Sequence, residues 1–375
     1  MSLLGKAGIL CWLHTAALVL VATGCSTVPD QGPPTDWSVG RISQDDEEQL
    51  EVDTPPPSAP LLFPPAPLAT EWLEGQWVSL KKWCLANQVP PATRATQEAF
   101  SPQFIRIGTD VMQFTPGNRV ARWRGMEVHL GFAPRAVNGE LLVHTLDLRK
   151  TVDPLVLGAQ PPVLDKLLPI VIDPGHGGED SGAQCVYPRL VEKELTLDWA
   201  RRVADLLSAH GYRVVLTRTN DLDLALSNRV NIAESVGASV FVSLHFNSGR
   251  AEPSRGGVET YCLTPAGLPS TETRGYGEDP SYIWVNNEYD THNLLLACRV
   301  QREMLAVPGV RDRGVRRARF MAVLRTQQRP AVLIEGGYLS DPVEARNIAN
   351  PAHRQNLALA VVRGLIGQEV LVGKK

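Results

Sequence analysis

The stretch "LPIVIDPGHGGEDSGA", residues 168–183, decides how the rest of the chain is read. An apolar run, Leu168 to Ile172, stops at Asp173-Pro174-Gly175-His176-Gly177-Gly178, so a histidine stands between glycines where the chain leaves a strand. Packing alone does not call for glycine on both sides of a histidine. Close approach by another group does, because glycine lacks a Cβ. Downstream, further apolar strands ("YRVVLTR", "SVFVSLHFN", "GVETYCL", "FMAVLR", "AVLIEGGY") alternate with helix-period segments ("EKELTLDWARRVADLLSAHG", "SNRVNIAESVGA", "NLLLACRVQREMLAV"). This pattern predicts an α/β fold over 165–370, a mostly parallel sheet flanked by helices. Ligands in such sheets bind outside the carboxyl ends of the strands.

Four residues fall at or near that edge. His176 follows "LPIVIDPG", His245 follows "ASVFVSL", Glu335 follows "AVLI", and Glu192 opens the helix "EKELTLDWARRV". Two neutral imidazoles and one carboxylate leave zinc an open position for water, the arrangement of a catalytic site. A second carboxylate beside that water acts as general base. Each residue also has a plainer reading. His245 alone could be structural, Glu192 a first-turn acid favoured by the helix dipole, and Glu335 a turn cap. Their convergence on one sheet edge favours the metal hydrolase.

Upstream the pattern differs. Residues 71–160 carry one short helical segment, "QWVSLKKWCLANQ", and then strand-like pieces ("FIRIG", "VMQFT", "VARWRGMEVHLG", "ELLVHTLDL") punctuated by "TPGNR" and "AVNGE", which predicts a small α+β domain. His129 and His144 lie in these runs and read as structural. Residues 25–70 read as a tether, with acidic "DDEE" at 45–48 and proline-rich "TPPPSAPLLFPPAPLA" at 54–69, neither able to bury a core. Residues 1–24 read as a signal peptide, with Lys6 ahead of an apolar run that ends in small residues. The ending "VATGC" resembles a bacterial lipobox, which makes Cys25 the lipidated first residue of the mature chain; the plainer reading is an ordinary signal peptide. Ser26, in place of an aspartate, resembles the pattern of outer-membrane lipoproteins. A net charge of −3 and a pI near 6.3 give no support to a nucleic-acid partner. After export four cysteines remain, Cys84, Cys185, Cys262 and Cys298, without metal-type spacing; they read as scattered buried thiols, and their disulfide connectivity is not legible.

"VIDPGHGGEDSGA", "VEKELTLDWARRVADLL", "VVLTR", "LSNRVNIAESVGASVFVSLHFN", "GGVETYCL" and "AVLIEGGYLSD" together resemble the zinc-dependent N-acetylmuramoyl-L-alanine amidases (Amidase_3). The resemblance covers about 200 residues with its motifs in order. It implies one Zn²⁺ held by His176, Glu192 and His245, with Glu335 as catalytic acid/base. It places the ligand on Glu192, the residue before Lys193, rather than on Glu194, and it makes Asp173 and Arg229 supporting residues. "RARFMAVLR" resembles the strand before the catalytic glutamate, with Arg325 near the site. The implied reaction is hydrolysis of the amide between N-acetylmuramic acid and L-alanine in peptidoglycan, at the cell envelope, with a lipid anchor in the membrane at Cys25 and the enzyme facing the periplasm. An insert at 264–290 reads as a loop that either contacts substrate or blocks the site until a regulatory protein moves it; His292, just beyond it, is at most a supporting residue. The 71–160 module resembles the small N-terminal domain of copper amine oxidases, also found in bacterial cell-wall proteins. Two other readings remain open: a zinc amidohydrolase acting on another amide, and a non-catalytic peptidoglycan-binding lipoprotein, which requires a degenerate site.

Overall fold

The computed structural model describes residues 76–98, 100–185, 188–249, 256–272 and 278–367, all within one compact unit. The signal segment 1–24, Cys25 and the tether 25–70 lie outside the described residues. No helix among those described is long and apolar enough to cross a membrane.

The N-terminal part runs β1 (Trp77–Ser79), α1 (Leu80–Ala86), β2 (Thr93–Arg94), β3 (Gln103–Ile107), β4 (Asp110–Phe114), β5 (Val120–Trp123), β6 (Met126–His129), β7 (Arg135–Val137) and β8 (Glu140–His144). A helical segment follows as α2 (Thr145–Asp147), a π-turn (Leu148–Val152) and α3 (Asp153–Val156). Trp77, expected from sequence in the first helix, instead pairs with His144 in a strand, and only Leu80, Trp83 and Cys84 face inward from α1. His144 ends β8 and caps α2, its Nδ1 accepting from the Leu146 amide.

The second part runs β9 (Ile170–Pro174), β10 (Gln184–Cys185), β11 (Leu190–Val191), α4 (Glu192–Ala209), β12 (Val214–Leu216), α5 (Leu226–Ser235), β13 (Val240–Asn247) and β14 (Val258–Cys262). After a 3₁₀ turn (Val285–Tyr289) come α6 (Asp290–Leu305), β15 (Asp312–Arg317), α7 (Ala322–Arg325), β16 (Ala331–Tyr338), α8 (Pro342–Ala349) and α9 (Pro351–Ile366). The sheet order is β12-β9-β13-β16-β14-β15-β6-β5-β4-β3-β2. The first four strands are mutually parallel; β14 runs antiparallel to β16 but parallel to β15. Central strands covered on both faces need apolar residues throughout, and β13 and β16 are buried almost end to end. One face packs on α4, whose Leu195, Trp199, Ala200, Val203 and Leu207 form a helical-period stripe. The other face carries the smaller core of Val171, Phe241, Tyr261 and Leu333, closed by α5 and α7.

Sequence and structure differ at three places here. "FMAVLR" is not a strand: Ala322–Arg325 forms a helical turn, and the strand is the polar Asp312–Arg317. Met321, Val323 and Leu324 join the smaller core, and a short apolar run cannot by its period distinguish strand from buried helix. His292 sits in the first turn of α6, beside Asn293, whose Oδ1 accepts from the Ala331 amide at the start of β16. Four strand residues, about 13 Å, separate that level from Glu335. Finally, the sequence pattern does not single out α8 and α9, although Asp341 and Asn350 cap them and each has proline in its first turn.

The N-terminal strands extend the same sheet. Val315 of β15 registers with Val128 of β6, and Asp312 accepts from the Glu127 amide at 2.7 Å. Among the described residues Cys84, Cys185, Cys262 and Cys298 form no disulfide, and all but Cys185 are buried.

Candidate active site

β9 and β13 deliver the two histidines to one edge of the sheet, and α4 delivers Glu192 from its first turn. His176 Nε2 lies 3.2 Å from Glu192 Oε1, His245 Nδ1 lies 3.0 Å from the same oxygen, and the two ring nitrogens are 3.2 Å apart. All three residues are buried. A tetrahedral zinc with bonds of about 2.0–2.1 Å places its ligand atoms about 3.3 Å apart. The triangle His176–Glu192–His245 therefore has the size of one face of such a tetrahedron. The donors are also those zinc prefers, two imidazole nitrogens and a carboxylate oxygen.

Local backbone and charge hold this triangle. His176 adopts φ +61°, a left-handed conformation uncommon outside glycine and characteristic of functional sites. Gly175 precedes it because a Cβ there would press on the His245 ring; Gly182, at φ +64°, leaves room for Glu192 and His176. His176 Nδ1 donates to Asp180 Oδ2 at 2.7 Å, which fixes the tautomer and leaves Nε2 available to a metal. Burial disfavours charge on His176, but the carboxylates of Glu192 and Asp180 outweigh it and raise its pKa to about 10. Burial lowers that of His245, and Glu192, despite its burial, is held well below the usual carboxylate range by the two imidazoles. Such a site favours a cation. Glu192 Oε2 additionally accepts from the Ala183 amide, and Oε1 from that of Phe246.

Asp173 and Arg229 lie directly beneath. Asp173 accepts from Arg229 Nη1 at 2.8 Å and from Ser243 Oγ at 2.7 Å, and Arg229 also holds the carbonyls of Pro174 and His176. Burial opposes the Asp173 charge, yet Arg229 and the hydroxyls bring its pKa below the ordinary value. Arg218, which no sequence signal marks, supports the same loop by donating to the carbonyls of Pro174, Gly175 and Lys193. Asp180 is a further residue that sequence reasoning misses, although it stands in the quoted motif four residues after His176.

Glu335 registers with His245 across β13 and β16, so both side chains leave the same face of the sheet. It is buried, and a β-bulge follows at Gly336-Gly337. Arg325 stacks on Trp284 of the insert, its guanidinium 4.5 Å from the ring centroid. The insert itself begins beyond the end of β14 and is tied down by Asn286 to the carbonyls of Gln327 and Arg329. His129 bonds to the Arg313 carbonyl, and neither it nor His144 joins the cluster. Glu194 is exposed on α4.

An α/β sheet with two strand-end histidines and a helix-start glutamate that could hold a metal ion, and a further glutamate one strand away, defines a hydrolase of the amidase type. Residues 170–367 match the family model described as N-acetylmuramoyl-L-alanine amidase, and the chain belongs to that family. It is 34% identical to N-acetylmuramoyl-L-alanine amidase LytC of Bacillus subtilis over 197 residues, 52% of this chain and 34% of LytC, so it spans about a third of that relative's length. With amidase CwlM of Bacillus licheniformis it shares 33% identity over 201 residues, 53% of this chain and 68% of that one. Among solved structures, amidase AmiC2 of Nostoc punctiforme aligns at 34% identity with a TM-score of 0.44, covering 53% of this chain and 95% of that chain.

Proposed function

We propose that this chain hydrolyses the amide between the lactyl group of N-acetylmuramic acid and L-alanine in peptidoglycan, using one zinc ion held by His176 Nε2, Glu192 Oε1 and His245 Nδ1. The observation that supports it best is the ligand triangle, with edges of 3.0–3.2 Å, beside a buried glutamate on the neighbouring strand. When bound, zinc supplies a water acidified to near-neutral pKa and a Lewis acid for the carbonyl. Glu335 takes the proton of the attacking water and returns it to the leaving amine of alanine. Asp180 keeps His176 in its ligating tautomer, and Arg229 and Arg218 hold the loop that carries it.

The test is mass analysis of purified peptidoglycan digested by the mature chain. Free stem peptides should appear, chelator should abolish them, and Glu335→Gln should keep zinc while cutting turnover about a hundredfold or more. Near-normal turnover in Glu335→Gln refutes its role, and release of no stem peptide by the zinc-loaded wild type refutes the substrate. The proposal extends to location: lipid at Cys25, with the tether reaching from the outer membrane toward the wall. Cys25→Ala should then release the protein from membranes. A regulatory protein on the 264–290 insert belongs to the same reading, supported by the exposed side chains of Tyr282, Ile283 and Val285.

A further inference from the structure

The ladder that carries the site breaks immediately beyond it. His245 pairs with Glu335, but the next pair is Asn247 with Tyr338, so Phe246 alone faces the two glycines Gly336 and Gly337. Gly337 has φ +131°. A two-on-one bulge built of two glycines is a soft segment, with little intrinsic backbone preference to fix it. It lies one residue past the metal ligand on one strand and one past the proton shuttle on the other. Beyond the bulge the ladder resumes at Asn247, whose carbonyl accepts from the Leu339 amide at 2.8 Å, and side chains add to that bond in holding the two strand ends in register.

Glu259 does this from the third strand. It is fully buried on β14 and registers with Glu335 across the antiparallel β14–β16 pair, so its side chain leaves the same face. Its Oε1 accepts from Asn247 Nδ2 at 2.8 Å and from the Tyr338 hydroxyl at 2.6 Å. Those two donors are the first residues paired after the bulge, one from β13 and one from β16, and they touch each other at 3.2 Å. The other oxygen, Oε2, is anchored by Arg316 Nε at 2.8 Å and Arg313 Nε at 3.3 Å. Arg313 also stacks on the Tyr338 ring, at 4.9 Å. Two carboxylates directly opposite each other on an antiparallel pair would repel. The two guanidinium groups compensate the Glu259 charge and let it lie there, and a buried carboxylate with four donors keeps one orientation.

We propose that Glu259 is a positioning residue for the hydrolysis: through Asn247 and Tyr338 it fastens β13 to β16 across the glycine bulge and so fixes Glu335 relative to the metal held by His245. The inference rests on the amidase reading above. A misplacement of about 1 Å at a reacting group costs on the order of a hundredfold in rate. Binding of the substrate's distal parts is untouched, so the loss falls on kcat.

The experiment measures kcat and KM for stem-peptide release from peptidoglycan fragments, per zinc-loaded chain, in the wild type, Glu259→Gln, Tyr338→Phe and the double variant. Glu259→Gln should lower kcat by tenfold or more with KM within about twofold and zinc still at one per chain. Tyr338→Phe should lower kcat with the same pattern. The double variant should be less impaired than the product of the two, since both cut one linkage. If Glu259→Gln does not fold, Tyr338→Phe decides alone, because it removes one hydroxyl and leaves the ring in place. Unchanged kcat per zinc-loaded chain, a loss confined to KM, or strictly multiplicative losses overturn the inference. An inactive wild type would instead refute the amidase reading, so the two failures are distinct.

Discussion

Gly175→Ala tests the metal centre without altering any ligand. The glycine's φ lies outside the left-handed region, so alanine meets no backbone strain there. Its Cβ would stand 2.2 Å from His245 Cε1 and 2.6 Å from Nδ1, the proposed ligating atom, where ordinary contact begins at 3.4 Å. The imidazole has to retreat by about 1.2 Å, the difference between the Cε1 distance and ordinary contact. Zinc sites tolerate about 0.2 Å in bond length, and Val242, Leu244 and Phe246 lock the strand behind the ring into the core. Loss of an outer hydrogen-bond partner alone weakens zinc sites by 10–100-fold; displacing a ligand should cost on the order of a hundredfold or more in affinity, about 2.7 kcal/mol. The assay is zinc competition against a chelator of known affinity, with stem-peptide release at limiting and at excess zinc. Gly249→Ala, whose Cβ would lie 3.7 Å from the Tyr338 ring, is the control and should change neither. A Gly175→Ala protein that holds zinc within threefold of wild type would show that His245 Nδ1 is not where the metal binds.

Asp180→Ala should weaken zinc by about 10–100-fold while sparing the fold, since it frees the His176 ring without removing a ligand; unchanged affinity in the chelator assay refutes that role. Glu192→Gln should lose zinc and Glu194→Gln should not, as read by metal analysis; the reverse outcome reassigns the ligand. The last prediction concerns pH. Burial raises the pKa of Asp153 from 3.8 to about 6, outweighing its bond from Trp83 Nε1. The folded chain therefore binds this proton more tightly than the unfolded one, and stability from this group falls as pH rises from about 4 to about 6. Asp153→Asn keeps the acceptor and removes the charge, so its melting temperature should rise relative to wild type across that window. A difference that stays constant with pH refutes the argument.

How much of the fold and the site can be read from the sequence follows from where the signals lie. His176 announces itself through its glycines, and His245 and Glu335 through apolar runs that end in polar residues. Those are local signals of a strand end. Glu259 gives none, because its meaning lies in the pairing of β14 against β16, and one strand's sequence does not state its direction. Tyr338 and Asn247 depend on a bulge that exists only in the paired strands. The β15 segment "DRGVRR" carries no strand signal because only Val315 is apolar; its polar residues are held by partners distant in sequence, such as Arg317 on Thr151 and the Lys150 carbonyl. The neighbouring "FMAVLR" reads as the strand for the converse reason, being apolar where it packs as a helical turn.

The seam between β15 and β6 bears on how the chain can be divided. Residues 170–367 mark the family's portion, and a cut just before it looks natural. Such a cut would strip β6 from β15 and leave a bare outer strand, with main-chain donors and acceptors open to any other strand. It would also take Thr151 and the Lys150 carbonyl from buried Arg317. The N-terminal strands thus serve as a cover that keeps the catalytic sheet from pairing with other molecules, and an excised catalytic segment should self-associate where the longer chain stays dispersed.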